Sequence, residues 1–234
     1  MASNIPSQIL YEDNHLIIIN KKPGQLVQPD NSEDESLEIE VKKYLKQKYH
    51  KPGEAFLGVA HRLDRPVSGA VVFAKTSKAL VRLNEMLKKH ELKKTYWAVV
   101  KNKPPQETGH LLQYILRNQK QNKSIVYTMP IEGAQSAELT YKIIATSDRY
   151  FLLEIDLMTG RHHQIRAQLA AMGCPIKGDL KYGFPRSNSD GSICLHARKI
   201  ELVHPVTKDL LCITAPSPKN NNWEMFCAFT TTDH

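Results

Sequence analysis

One carboxylate, Asp64, stands between Arg62 and Arg65 in a polar turn. The turn joins two apolar runs, Ala55–Ala60 (AFLGVA) and Ala70–Ala74 (AVVFA). Neighbouring cations favour the ionised form of such a group, while burial opposes it. An ionised carboxylate fixed in a cleft serves as a nucleophile or a base. Turn aspartates also commonly bind backbone N–H groups or pair with arginine, so this stretch alone leaves both readings open. A second stretch, LMTGRHHQIRAQL at 157–169, ends a strand, turns at Gly160 and opens a helix near His163. Helix starts offer free N–H groups, and Arg161 and Arg166 add charge. Arg166 follows the apolar Ile165, which places it at the helix margin facing a cleft, where it could pair with a carboxylate or a phosphate. The alternative is a surface arginine with a packed stem. A third stretch, KKTYWAVV at 93–100, puts Tyr96 on a strand behind two lysines. Its ring could stack on a nucleobase or close the edge of the core.

These residues need a scaffold, and the pattern along the chain supplies one. Ile9–Asn20 reads as two strands around a turn at Glu12–Asn14. Lys21–Pro29, with Pro23, Gly24 and Pro29, reads as a loop. Ser36 can cap a helix whose apolar positions Leu37, Val41, Tyr44, Leu45 and Tyr49 fall at helical spacing. Ser77 begins a second helix with Leu80, Leu83 and Leu87 on one face; Lys88 and Lys89 complement its dipole. Thr95–Val100 is β-branched and aromatic, hence a strand. Leu111–Leu116 and Ser124–Met129 flank the basic loop RNQKQNK (Arg117–Lys123) as a hairpin. Ala137–Ala145 and Tyr150–Leu157 are two further strands. Ile165, Leu169 and Met172 mark a short helix ended by Gly173. Ile200–Val203 and Leu210–Ala215 form a last hairpin. Many hairpins with few helices between them predict an α+β fold with a mainly antiparallel sheet, not alternating βαβ units.

Bulk properties narrow the function. The chain has 234 residues, 41% hydrophobic and 24% charged, as expected of an ordinary globular protein. No secretory signal opens it, and Leu16–Ile19 and similar runs are too short to span a bilayer. Cys174, Cys194, Cys212 and Cys227 are widely spaced with no CxxC pair, which suits a reduced, cytoplasmic protein. No cluster has metal-ligand spacing. No GxG occurs among the 11 glycines, so neither a dinucleotide fingerprint nor a Walker loop is present. The net charge is +8, and its distribution is uneven. Residues 1–40 hold two lysines against eight acids, so the basic excess lies in the rest of the chain. Such a body favours polyanions, with strong salt dependence.

Taken together, the motifs resemble the RluA-type family of RNA pseudouridine synthases. HRLDRPVSG at 61–69 is similar to that family's H-R-L-D-x-x-T-S-G, and TGRHHQIR at 159–166 to its T-G-R-T-H-Q-I-R. KTYWAVV at 94–100 is similar to the strand that carries the family's active-site tyrosine. PIKGDLKYG at 175–183 and LHARKIELVHP at 195–205 follow in the family's order, and NKKPGQLVQP at 20–29 resembles its opening N-K-P-x-G loop. The resemblance runs from about residue 9 to 215. It departs at Val67 and His162, each in place of Thr, at Lys22 in place of Pro, and at Gln28 in place of a frequent His.

The resemblance implies a pseudouridine synthase fold with a central cleft, one catalytic domain over 1–234 (core about 9–215), and no S4 RNA-binding domain. It implies isomerisation of uridine to pseudouridine in structured ribosomal or transfer RNA, without cofactor or metal and with no obligatory protein partner. Asp64 is then the catalytic residue, as nucleophile at C1′ or as base for the 2′ proton. Arg166 is similar to the arginine that pairs with this aspartate, Tyr96 to the ring that stacks on the flipped uracil, and Arg62 to the residue that fills the vacated place in the stack. Lys88, Lys89, Lys93 and the Arg117–Lys123 loop are candidate phosphate contacts. Two rivals remain at this stage: a non-catalytic RNA-binding or remodelling protein on the same fold, and a base-excising glycosidase, which would also use a carboxylate near C1′.

Overall fold

A computed structural model describes residues 5–30 and 32–226. Its elements run Ile9–Glu12 (β1), Leu16–Lys21 (β2), Leu37–Lys48 (α1), Gly58–Val59 (β3), Ser68–Ala74 (β4), Ser77–Lys88 (α2) and Lys93–Val100 (β5). They continue with Thr108–Asn118 (β6), Lys123–Tyr127 (β7), Gln135–Thr146 (β8), Phe151–Leu157 (β9), Gln164–Ala171 (α3), Leu195–Val203 (β10), Leu210–Thr214 (β11) and Asn221–Glu224 (α4). Short 3₁₀ turns cover Ile5–Gln8 and Leu180–Tyr182. The expected α+β class, mainly antiparallel, is what the strands form. The chain divides into two compact units, Met1–Leu92 with Ala197–Pro216, and Lys93–His196 with Ser217–His234.

In the first unit β1, β2 and β4 are neighbours, β10 follows β4, and β11 pairs with β10. β2 aligns antiparallel to β4, from Leu16 opposite Ala74 to Lys21 opposite Gly69. Leu16, Ile17, Ile18 and Ile19 are all fully buried, so β2 reads as an unbroken apolar run because both of its faces are covered. Each such side chain contributes about 1.5–3 kcal/mol relative to exposure. Leu16 and Ile18 pack with Ala70, Val72 and the buried face of α2. That face is Ala79, Leu83 and Met86, while Leu80 and Leu87 only border it. Thr76 caps α2 by accepting from Ala79 N at 3.2 Å. Ser36 caps α1 as expected, accepting from Ile39 N at 3.5 Å; such caps satisfy donors the helix cannot.

In the second unit the order is β5-β9-β8-β6-β7, every pair antiparallel. β6 and β8 are longer than the sequence pattern predicts, because polar residues flank the apolar stretch on both strands and still enter the ladder, from Thr108 opposite Lys142 to Ile115 opposite Gln135. α3 starts at Gln164, one residue after His163, whose φ of 53° turns the chain into the helix. Cys174 and Cys194 are buried free thiols, raised in pKa by burial, and Cys212 is exposed. Cys227 lies outside the described residues. Among the described residues no helix is long and apolar enough to cross a membrane.

Candidate active site

Asp64 sits half-buried on the turn between β3 and β4. The turn is closed by Val67 N donating to Asp64 O at 3.0 Å. Behind it lies Lys21, the last residue of β2, whose side chain is wholly buried. Its ammonium donates to three carbonyls, Lys22 O at 3.1 Å, Arg65 O at 3.1 Å and Val67 O at 2.5 Å. Gly24 N adds a bond to Arg65 O at 2.8 Å. The Lys21–Gly24 loop and the Asp64 turn are therefore knitted into one piece. Burial pushes the Lys21 ammonium down to about 7, against the pull of the Asp64 carboxylate, which raises it. His61 accepts at Nε2 from Val72 N at 3.1 Å and so ties the front of the motif to β4.

The glycine that ends the motif has a steric cause. Gly69 has φ of 116°, and a Cβ there would lie 2.3 Å from Ala197 O and 2.5 Å from Ala197 N. Only glycine lets β10 approach this closely. Val67, in place of threonine, is buried. Arg62 is exposed on the turn, and Arg65, also exposed, pairs with Asp34.

In the second unit Tyr96 is 6% exposed on β5, opposite Ile155 of β9. Thr95 Oγ1 donates to Asp156 Oδ1 at 2.8 Å and Trp97 Nε1 to Glu154 Oε2 at 3.3 Å. Side chains alternate across a strand, so Tyr96 faces the other side of the sheet from these two. An open groove of about 530 Å³, lined by His110, Tyr141, Lys142, Glu154 and Asp156 among others, lies on the Asp156 side. Its two carboxylates suit a polyanion poorly.

The structure corrects one expectation about Arg166. Rather than sitting at the margin of α3, it lies within six consecutive buried residues, Gln164–Leu169. Asp179 makes that burial tolerable by accepting from Arg166 Nε at 2.7 Å and Nη2 at 2.9 Å. This forked pair fixes the plane of the guanidinium, and Arg166 also lies 5.1 Å over the Tyr182 ring. Tyr182 accepts at its hydroxyl from Ser124 N at 2.8 Å and meets His163 Nδ1 at 2.9 Å. Burial raises its pKa, so it stays a phenol. Gln164 Oε1 takes bonds from Thr159 Oγ1 at 2.8 Å and Arg161 N at 3.0 Å, which pins the turn before α3.

Asp64 and Arg62 thus share one turn of the first unit, and Tyr96 and Arg166 belong to the second. Lys88, Lys89 and Lys93 are exposed. Lys21, Asp179 and Tyr182 do work that the residue types alone did not single out; the one available signal was their place inside the quoted NKKPG and PIKGDLKYG stretches. Among the described residues no group of three His, Cys, Asp or Glu side chains could hold a metal.

Residues 15–171 match the family model described as RNA pseudouridylate synthase. A ribosomal large subunit pseudouridine synthase C from Buchnera aphidicola of Acyrthosiphon pisum is 32% identical, with 92% of this chain and 68% of that protein covered. A tRNA pseudouridine synthase C from Vibrio cholerae is 31% identical, covering 89% and 90%. Among solved structures, human RNA pseudouridylate synthase domain containing 4 superposes with a TM-score of 0.77 at 24% identity, covering 92% of this chain and 90% of that one.

Proposed function

The chain belongs to the RNA pseudouridylate synthase family, and from that membership we propose that it isomerises specific uridines in structured ribosomal or transfer RNA with Asp64 as the catalytic carboxylate. The N1–C1′ bond of the uridine breaks, the uracil turns within the site, and C5 bonds to C1′. The hydrogen on C5 leaves to solvent as N1 takes up a proton, so the formula is unchanged and the reaction calls for no redox partner. Asp64 acts either by attacking C1′ or by taking the 2′ proton from a broken-bond intermediate. A uridine stacked in RNA must leave its stack to reach the carboxylate. Tyr96 stacks on the extruded base, Arg62 occupies the vacated place, and Arg166, its plane set by Asp179, binds substrate. The names of the relatives support ribosomal and transfer RNA equally.

The observation that carries the assignment of Asp64 is the turn that presents it. A half-buried carboxylate is held there by backbone bonds to a wholly buried lysine rather than left on a loose loop. The test is tritium release from 5-tritiated uridine in RNA, with chromatography of the products. Asp64→Asn is expected to fold and bind RNA like the parent and to form no pseudouridine. Turnover by that variant would remove Asp64 from the chemistry, and release of free uracil by the parent would reassign the enzyme as a glycosidase.

A further inference from the structure

The tip of the β6–β7 hairpin carries Arg117, Lys120 and Lys123 within seven residues. Like charges this dense repel one another, and at the tip the ladder offers only Arg117 opposite Ser124 and Asn118 opposite Lys123. Other segments of the same unit fasten it. His162 Nδ1 lies 2.9 Å from Ser124 Oγ, and that hydroxyl lies 2.6 Å from the His162 carbonyl. On the other side of the ring, Nε2 lies 3.2 Å from Asn122 Oδ1. Lys181 Nζ donates to Asn122 O at 3.1 Å. Lys123 Nζ lies 5.2 Å over the Tyr182 ring, whose hydroxyl takes the Ser124 N–H. The His162 ring is itself held flat, stacked on His163 at 3.8 Å with 27° between the planes.

His162 therefore bridges two points of the hairpin, Ser124 at the strand and Asn122 at the tip. Threonine, which the resembling motif carries here, ends at a hydroxyl on Cβ and could not span both. We propose that His162 is a positioning residue that locks the basic hairpin as a fixed cationic surface for the sugar-phosphate backbone of the RNA substrate. This rests on the reading of the protein as an RNA-modifying enzyme and names how it grips the RNA. Lysines and arginines on an ordered loop lose less freedom on binding than those on a loose one. Each phosphate they neutralise releases counterions, so the grip is visible in salt dependence.

The experiment is steady-state pseudouridine formation by the full chain on one substrate RNA across a salt series, with Tm recorded for each variant. The variants are His162→Thr, Asn122→Gly and the double. Asn122 is exposed with φ of 45°, so glycine keeps the backbone and removes only the side chain. Each single variant is expected to raise KM for RNA about tenfold with kcat within about twofold, and to flatten the slope of log KM against log salt by roughly one ion. The double is expected to be no worse than His162→Thr alone, since that variant already breaks the linkage to Asn122 along with the ring's linkage to Ser124. Unchanged KM and salt slope in both singles, or a fall in kcat alone, would overturn the role of His162. A parent that neither modifies nor retains any RNA would instead overturn the functional reading beneath it.

Discussion

Lys21 shows what a single buried charge can do for a neighbouring site. Its three carbonyl acceptors include two from the Asp64 turn, Arg65 O and Val67 O. Below its pKa of about 7 the amine is charged, and bonds from a charged donor are worth about 1.5–3 kcal/mol each. Losing even one of them as a positioning force corresponds to roughly ten- to a hundredfold in rate, if the turn must be rigid for the carboxylate to act. Lys21→Met keeps much of the volume and removes all three donors. Its single-turnover rate is expected to fall at least tenfold, with RNA affinity within about twofold because the residue is buried away from RNA. An unchanged chemical step would mean that the turn holds itself. The turn that carries Asp64 and Arg62 was legible in the sequence, as a polar stretch between two apolar runs. Lys21 and Asp179 were not, because charged residues are almost always exposed, and only a folded structure reveals which ones are buried with partners.

Elements are tied together by a different charged cluster. Glu12, at the end of β1, accepts from Tyr44 Oη at 2.9 Å, Lys48 Nζ at 2.8 Å, Tyr49 Oη at 2.7 Å and Lys75 Nζ at 2.8 Å. One carboxylate thereby joins β1, the C-terminal turn of α1 and the end of β4. Burial raises its pKa, but the bonds from Lys48, Lys75, Tyr49 and Tyr44 outweigh it and bring the group from 4.5 to about 2. Between those values the unfolded chain binds more protons than the folded one. The clasp therefore contributes fully above pH 4.5 and fades as the pH falls to 2. Glu12→Gln is expected to cost about 2 kcal/mol near neutrality, a Tm lower by roughly 4–8 °C for a chain of this size. The gap between parent and variant should close as pH approaches 2; a gap of constant size down the acid limb would place the stabilisation elsewhere. Helix caps and hairpin turns were readable here because each is local. β10 was read as starting at Ile200, whereas it starts at Leu195. His196 and Arg198 broke the apolar pattern, yet both are buried, Arg198 donating to Ala215 O at 2.8 Å. The glycine at 69 was legible as a motif letter, but its cause, the backbone of Ala197 pressed against it, joins residues far apart in sequence.

At the scale of the molecule the chain returns on itself. Residues 197–216 complete a unit begun by residues 1–92, which no local pattern announces, since the pairing of β10 with earlier strands is set by long-range packing. What the sequence does announce at this scale is charge. Beyond residue 40 the chain holds 30 lysines and arginines against 16 acids, while the acids before it are partly spent within the protein, Asp34 on Arg65, Glu35 on Lys43 and Glu38 on Lys42. These internal pairs leave fewer unpaired carboxylates to repel a polyanion. If about five phosphates are neutralised on binding, log affinity falls with log salt at a slope of roughly −3.5 to −4.5, so raising salt from about 50 to about 200 mM weakens RNA binding on the order of a hundredfold or more. The kcat at saturating RNA should stay constant over that range, because the turn that carries Asp64, the proposed catalytic residue, is held by a backbone bond and the buried Lys21 as well as by the exposed Arg65–Asp34 pair, and only the last is open to screening. Filter binding and saturating turnover measured on the same salt series separate the two. A kcat that falls in parallel with affinity would mean that surface charge shapes the reacting geometry itself, and not only the capture of RNA.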